Sequence, residues 1–292
     1  MIVLGFYKYA EVPDPHQLAE TLRENCPDDL YRGTILVSHE GLNGSVSANR
    51  ENTDKLRELL TSIPNFDDIF FKEETLGEHP FKKMKIKVKK EIVRFDYDVD
   101  LKNTGKHLSP EEFLELYDSD GNLKENVVLL DTRNDYEFEV GRFKGATHLN
   151  LQTFREFTKK VDLEQLQDKK VVMYCTGGVR CEKATAYVKE QGIKDVSQLH
   201  QGIIRFGKEY PESVWEGKCF VFDKRMVSPI NSEGEPVSHC HLCGTSSDLL
   251  RNCRNVECNL FYVSCVACEE KFNKCCSEEC MKIVDRTKDE VA

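Results

Sequence analysis

The sequence predicts a multidomain protein of mixed α/β and α+β class, and three observations support this. Its 292 residues are enough for two or three domains of ordinary size. Short strand-like segments alternate with helix-like segments as far as about residue 215, and nine of the 13 cysteines follow between Cys240 and Cys280. The 39% hydrophobic and 9% aromatic contents argue against a disordered chain, and no apolar run is long enough to cross a bilayer.

Residues 1–95 form the first predicted domain. Strand-like patterns occupy residues 2–9, 34–38, 44–47, 68–73 and 84–95, and helix-like patterns occupy residues 15–26 and 50–63. In the second helix, apolar side chains recur at i, i+3, i+4 and i+7 on one face, namely Leu56, Leu59, Leu60 and Ile63. The order β-α-β-β-α-β predicts a ferredoxin-like (acylphosphatase-like) domain.

A second domain is predicted over residues 107–215. Ser109 can cap a helix that starts at Pro110, and Glu112 completes a capping box. Apolar strands at 127–130 and 171–174 alternate with helices near 162–167 and 182–191, which is typical of an α/β domain with a parallel sheet. A rise in Gly, Ser, Pro and Glu predicts a linker over 216–238, followed by a cysteine-rich module over 239–284.

The strongest catalytic candidate is Cys175, which lies between an apolar strand and a helix. The loop that follows it consists of Thr176, Gly177, Gly178, Val179 and Arg180. Ligands bind at the carboxyl ends of parallel strands, and two glycines let several backbone N–H groups turn toward one anion. The positive end of the next helix and the charge of Arg180 should further lower the pKa of the thiol. The alternative is a buried, inert cysteine before a turn.

Cys181 lies six residues after Cys175 and is a candidate resolving thiol. It could form a disulfide with a sulfenate or persulfide on Cys175. The alternative is a small side chain that packs at the start of a helix.

Charge is distributed unevenly along the chain. The net charge is −10, which argues against indiscriminate coating of nucleic acid, yet residues 82–94 carry seven basic residues and one acid. Alternation there predicts an apolar face and a basic face. The lysines that could contact an RNA backbone are Lys82, Lys83, Lys85, Lys87, Lys89 and Lys90. The alternative is an edge strand that lysines protect from aggregation.

The first apolar stretch of the chain is short, since Tyr7 and Lys8 interrupt it, and it does not resemble a secretory signal. We therefore expect a cytoplasmic protein with no membrane association, in a compartment where thiols stay reduced.

Eight cysteines form four pairs at metal-ligand spacing: Cys240 and Cys243, Cys253 and Cys258, Cys265 and Cys268, Cys276 and Cys280. The pattern predicts two four-thiolate zinc sites of structural role. Redox-active dithiols or an iron–sulfur cluster are alternatives. Spacing does not settle whether the pairs combine in chain order or alternately. Cys275 could replace Cys276, and His239 or His241 could also be ligands.

The loop at 175–180 resembles that of the rhodanese family, and upstream residues do too. Asp131-Thr132-Arg133, Glu137-Phe138 and the segment 141–146 are similar to the family pattern, although Arg142 and Gln201 depart from its usual His and Gly. Four residues between Cys175 and Arg180 disfavour the related phosphatases, which have five. We interpret Asp131, Arg133 and Glu137 as ion-pair residues that stabilise the fold.

Nearly the whole chain resembles the tRNA uridine(34) hydroxylase family. The segments that carry this resemblance are Phe-Tyr-Lys-Tyr at 6–9, Ser-His-Glu-Gly-Leu-Asn-Gly at 38–44, residues 173–184, Phe-Val-Phe-Asp at 220–223 and the terminal cysteines. It implies formation of 5-hydroxyuridine at wobble position 34 in the tRNA anticodon loop, with O2 as co-substrate. It also implies that Cys175 is the active-site thiol or persulfide carrier, and it favours the RNA-binding interpretation of the lysines.

No flavin or NAD motif and no two-histidine, one-carboxylate spacing is recognisable in the sequence. We therefore hypothesise that the Cys175 thiolate adds to C6 of uracil, so that C5 can react with an oxygen species. The sequence does not identify a sulfur or electron donor.

Two other functions fit the same residues. A rhodanese-type sulfurtransferase would pass persulfide sulfur from Cys175 to a small thiol or a protein, without tRNA. A zinc-dependent RNA-binding adaptor would keep its function after Cys175→Ser.

Overall fold

A computed structural model of the protein describes residues 1–230 and 235–289. The first domain contains a five-stranded sheet, covered on one face by two helices. Its elements are β1 (Ile2–Tyr9), α1 (Pro15–Asn25), β2 (Arg32–Ser38), β3 (Gly41–Ala48), α2 (Arg50–Thr61), β4 (Phe70–Thr75) and β5 (Met84–Val88). The strand order is β4-β1-β3-β2-β5, and only β2 and β5 pair in parallel. The predicted acylphosphatase-like domain is confirmed.

Alternation along the strands separates two faces of this sheet. Leu4, Phe6, Ile35 and Val37 pack with the helices in one buried core. The opposite face is not covered by these helices. Two rows of residues cross β3, β2 and β5 on this face. One row is Ser45, Thr34 and Lys85, and the other is Asn43, Leu36 and Lys87. This second face, which we call the open face, is polar and basic at its β5 edge.

The predicted strand 84–95 is shorter in the structure, because β5 ends at Val88. The polar run at 89–91 interrupts the alternation, and Phe95 then joins the core of the second domain, where its ring lies 4.9 Å from that of Phe154. The segment after β5 therefore connects the two cores.

The second domain has a five-stranded, wholly parallel sheet in the order β6-β11-β10-β7-β9. Its elements are β6 (Lys106–Leu108), α3 (Pro110–Leu114), β7 (Val127–Asp131), α4 (Asp135–Val140), β8 (Gly141–Phe143), β9 (Thr147–His148), a 3₁₀ turn (Phe154–Glu156), α5 (Phe157–Lys160), α6 (Leu163–Leu166), β10 (Lys170–Tyr174), α7 (Val179–Glu190), β11 (Val196–Leu199) and α8 (Gly202–Glu209). Ser109 and Glu112 form the predicted capping box. Helix α7 starts three residues earlier than predicted, so Arg180 and Cys181 lie in its first turn.

Part of the range 216–238, expected to be a linker, is β-structure. Strand β12 (Trp215–Phe220) pairs with β8 and with β13 (Val227–Pro229). Alternating buried positions such as Trp215 and Cys219 are the reason, since their side chains complete the second domain's core. Residues 231–234 of the expected linker lie outside the described residues.

The cysteine-rich module contains β14 (Leu249–Asn252), β15 (Phe261–Ser264), α9 (Val266–Lys271) and α10 (Glu278–Asp289). It packs against α4, where the Tyr136 ring stacks on Phe261 at 4.5 Å. Throughout residues 1–230 and 235–289, every helix is too short or too polar to span a lipid bilayer.

Candidate active site and metal centres

The loop between β10 and α7, residues 175–180, curls around the sulfur of Cys175. Cys175 is fully buried at the carboxyl end of β10, and the backbone N–H of Gly178 donates a 3.1 Å hydrogen bond to its Sγ atom. Gly178 has φ +98°, a conformation that favours glycine, and a Cβ there would lie 2.7 Å from the Tyr7 hydroxyl. Glycine is therefore required for both the turn and the close approach of Tyr7.

The surroundings of Cys175 favour the thiolate. Burial alone would raise the pKa of Cys175. A hydrogen bond from Cys181, the charge of Arg180 and the N–H groups of Arg180 and Gly178 outweigh burial and lower this pKa to about 5. The thiol is thus ionised at neutral pH, as the loop sequence predicts.

Arg180 is buried, and its charge is paired with a carboxylate. Its guanidinium donates two hydrogen bonds to the Glu137 carboxylate, at 2.6 and 2.8 Å, and Thr176 donates a third to Glu137 at 3.1 Å. The pair fixes the loop against α4. Asp131 and Arg133 form a second buried ion pair at 2.6 Å, which fits their structural interpretation.

Cys181 is buried on the first turn of α7, and Thr132 Oγ1 lies 3.6 Å from its Sγ atom. Burial and the neighbouring Cys175 thiolate hold the pKa of Cys181 well above its usual value. Cys181 is therefore a protonated thiol that donates a hydrogen bond to Cys175, and its role as a resolving thiol stays a prediction.

The first domain supplies three groups to the loop and to helix α7 that sequence reasoning missed. The Lys72 ammonium on β4 donates to the Gly177 carbonyl at 2.8 Å, the Tyr7 hydroxyl donates to Glu182 at 3.0 Å, and the Tyr9 hydroxyl donates to the Val179 carbonyl at 3.1 Å. These contacts join segments more than 100 residues apart, so no local pattern predicts them.

A cleft of about 920 Å³ lies between the open face of the first sheet and the thiol loop. Its walls include Cys175, Lys72, Asn43 and Ser45. The Phe222 side chain also lines it, is 63% exposed, and lies with its ring 5.9 Å from the Arg180 guanidinium. Phe222 belongs to a segment that carries the family resemblance, but nothing in its local pattern predicts an exposed aromatic surface.

The predicted basic strand lies beside this cleft. All six lysines are exposed, and Met84, Ile86 and Val88 pack against the first core. Lys89 and Lys90 line the cleft, and Lys85 and Lys87 continue its wall along the open face; Lys82 and Lys83 precede β5. Since adjacent strands are about 4.8 Å apart, a row from Lys72 on β4 to Lys85 on β5 spans about 19 Å.

The eight cysteines form two compact clusters, one of Cys240, Cys243, Cys265 and Cys268, the other of Cys253, Cys258, Cys276 and Cys280. Within each, all ligand atoms lie within 4.8 Å of one another. Tetrahedral ligation with metal–sulfur bonds of about 2.3 Å places sulfurs about 3.8 Å apart. The Sγ separations of 3.6 Å between Cys243 and Cys265 and between Cys258 and Cys276 fit this geometry.

In the structure, the first cysteine pair in the chain therefore combines with the third, and the second pair combines with the fourth. Cys275, His239 and His241 lie outside the two clusters among the described residues. Each cluster offers four thiolates to one metal ion.

Comparisons with known proteins cover nearly the whole chain. Family models match a UPF0176 acylphosphatase like domain at residues 1–92, a rhodanese-like domain at 109–209 and a rhodanase C-terminal domain at 216–281. A tRNA uridine(34) hydroxylase of Cytophaga hutchinsonii is 43% identical over 282 residues, or 95% of this chain and 89% of that one. The corresponding protein of Protochlamydia amoebophila is 38% identical over 283 residues, covering 95% and 87%.

Parts of the chain also align with solved structures. A rhodanese-related protein from Thermoplasma volcanium is 19% identical and covers 36% of this chain and 92% of its own, with a TM-score of 0.28. That score is too low to support a conclusion about the present protein.

Proposed function

Because this chain belongs to the tRNA uridine(34) hydroxylase family, we propose that it hydroxylates uridine 34 of tRNA to 5-hydroxyuridine, with O2 as co-substrate. The observation that carries the proposal is the cleft, which joins a thiolate-stabilising loop to a basic sheet face. The proposed substrate places the reaction in the cytoplasm, where tRNA acts.

The basic face is proposed to hold the anticodon arm. Lys85, Lys87, Lys89 and Lys90 extend from the β5 edge to the cleft, so phosphates held there would bring the loop toward Cys175. Lys82 and Lys83 extend the same positive charge beyond β5. The contacts are to phosphates, so they contribute affinity rather than sequence selection.

Phe222 is proposed to stack on the target base. Single-stranded RNA is recognised largely by unstacked bases that lie on aromatic side chains, at about 1–3 kcal/mol per base. Phe222 offers such an exposed ring in the same cleft as Cys175. Phe222→Ala should therefore raise KM for tRNA more than Phe222→Tyr does.

The proposed chemistry uses the thiolate as a nucleophile. Its sulfur adds to C6 of uracil, and the electron pair of the C5–C6 double bond moves to C5 and the O4 carbonyl. C5 takes one oxygen atom from O2, and the other leaves as water, with two electrons and two protons from a reductant of the thiol class. Loss of the C5 proton then expels the thiolate and restores the double bond. Cys181, already hydrogen-bonded to Cys175, would form a disulfide if Cys175 were oxidised instead.

The two cysteine clusters are proposed to hold zinc. The donor set of four thiolates in each cluster suits it, and the metal would fix the fold of a module with little apolar core.

Nucleoside mass spectrometry tests the function. tRNA from cells lacking this gene should regain 5-hydroxyuridine at position 34 with the wild type and with Cys219→Ala, a matched change at another buried thiol, but not with Cys175→Ser. If Cys175→Ser also restores it, the nucleophilic role is wrong. If no form restores it although the protein accumulates, the hydroxylase proposal fails and thiosulfate turnover becomes the assay.

The covalent step has its own test. A tRNA carrying 5-fluorouridine at position 34 should trap an adduct on Cys175, because fluorine cannot leave C5 as a proton does. Absence of any adduct with an enzyme active on normal tRNA would reject addition to C6.

A further inference from the structure

The peptide unit between Gly177 and Gly178 is held at both ends. Its carbonyl oxygen accepts a 2.8 Å hydrogen bond from Lys72 Nζ, and its N–H donates the 3.1 Å hydrogen bond to Cys175 Sγ. In a trans peptide the C=O and N–H bonds point in opposite directions. A cation at the oxygen and an anion at the N–H therefore both align with one peptide dipole.

Such a peptide needs a restraint from outside the loop. Neither glycine carries a Cβ, so rotation of the plane between them is cheap, and a rotated plane would direct the carbonyl oxygen toward the sulfur. That oxygen would repel the thiolate. The Lys72 ammonium opposes the rotation, because the carbonyl oxygen would have to leave its positive charge.

Lys72 is placed for this contact and for little else. Its side chain is 9% exposed, and its other neighbours are the Gln201 Oε1 atom at 3.1 Å and the Tyr7 ring at 5.0 Å. Within residues 1–230 and 235–289, no carboxylate pairs with it. Gln201 stands where the rhodanese pattern has glycine, so this departure gives Lys72 a second acceptor beside the loop.

We propose that Lys72 is a positioning residue, which fixes the Gly177–Gly178 peptide with its N–H on Cys175, so that docking of the first domain activates the thiol. The first domain would then have a role in reactivity as well as in RNA binding. Burial lowers the pKa of Lys72 to about 8, so the ammonium is still mostly protonated at neutral pH. The other ionisable groups facing Cys175 are Arg180 and Cys181 on α7 and Tyr7 and Tyr9 on β1.

Alkylation of the full-length, metal-loaded protein tests the proposal without any tRNA, so its outcome is independent of the hydroxylase proposal. The rate of iodoacetamide modification is followed from pH 4 to pH 9 by mass spectrometry of the tryptic peptide 171–180. Trypsin cuts after Lys170 and Arg180, so this peptide contains Cys175 and not Cys181. The midpoint of the rate profile gives the pKa of Cys175.

Lys72→Met should raise that midpoint by at least about one pH unit, which is about a tenfold loss of thiolate below both midpoints. Lys72→Arg keeps a charged donor, so its midpoint should lie close to that of the wild type. Tyr9→Phe is the matched control, since it removes another hydrogen bond from the first domain to this loop without touching the Gly177–Gly178 peptide.

Three results would overturn the proposal. One is a Lys72→Met midpoint equal to that of the wild type in a folded protein. Another is an equal rise of the midpoint in Tyr9→Phe, which would mean that any loss of contact between the domains raises the pKa of Cys175. If Lys72→Met does not fold, a Lys72→Arg midpoint raised by a full unit would reject the role of the donor. Thermal unfolding and metal content establish folding in each case.

Discussion

The thiol loop at 175–180 and the cysteine-rich module at 239–284 both group cysteine sulfur with partners that can stabilise its anion, but the partners differ. In the loop, one sulfur is surrounded by N–H groups, a neighbouring thiol and an arginine, and its pKa falls to about 5. In each of the module's two clusters, four sulfurs lie within 4.8 Å of one another, and a metal ion bound there would stabilise all four as thiolates. The loop therefore stabilises its anion by protein groups alone, whereas each cluster of the module is proposed to do so by binding a metal ion.

The largest effect should come from removing metal. Chelation should unfold the module, since thiolate metal sites of this kind contribute on the order of 10 kcal/mol to folding. Metal analysis should give two equivalents per chain before chelation, one for each cluster. Hydrogen exchange should show loss of protection confined to 239–284, with the alkylation midpoint of Cys175 still below pH 7. A midpoint above pH 7 would mean that the two regions are not independent.

A smaller effect should follow from breaking the charge balance of the loop. Glu137→Gln leaves the buried Arg180 without its carboxylate, so urea unfolding should show a loss of about 3–5 kcal/mol. Glu139→Gln, an exposed change on the same helix, should cost almost nothing. A loss equal for the two variants would contradict the role of the ion pair.

The pH dependence of that difference sharpens the test. Burial opposes ionisation of Glu137, but Arg180 prevails and holds the pKa of Glu137 below its usual 4.5. The stabilisation is therefore complete above pH 4.5 and is lost as pH falls through the lowered pKa. The wild type and Glu137→Gln should become equally stable at the acidic end of the titration.

The smallest effect on stability should come from Cys275→Ala, and comparison with Cys276→Ala tests which of these adjacent cysteines is a metal ligand. Cys275→Ala removes a buried thiol outside both clusters and should change stability by about 1 kcal/mol or less, with both metal ions retained. Cys276→Ala removes a ligand and should lose one metal ion per chain. Loss of metal from Cys275→Ala would mean that the cluster is assigned to the wrong residues.

Local patterns predict those parts of the molecule whose partners are close in sequence. Ser109 and Glu112 lie three residues apart and form the capping box that their spacing predicts. Cys175 and the Gly178 N–H belong to one loop, so their contact follows from its length and its glycines. Pairs of cysteines at ligand spacing likewise predict metal sites.

Contacts between distant segments were not predictable. Lys72 lies 105 residues before Gly177, and neither residue shows in its own neighbourhood that the other is required. The antiparallel pairing of β14 with β15 determines which cysteine pairs combine, and the spacing of the cysteines does not specify that pairing. The strand predicted to reach residue 95 ends at Val88, and Phe95 packs in the core of the second domain, a contact that its neighbours in sequence do not indicate.

The chain order of the contacts at the loop also bears on biosynthesis. The core of the first domain draws only on residues 2–88, so it can be complete while later residues are still being added at the ribosome. Tyr7, Tyr9 and Lys72 can thus be in place before Cys175 emerges. With Lys72 in the role proposed above, the Cys175 thiol would gain its full reactivity only when the second domain packs against a first domain that is already folded, and the growing chain would be less exposed to oxidation until then.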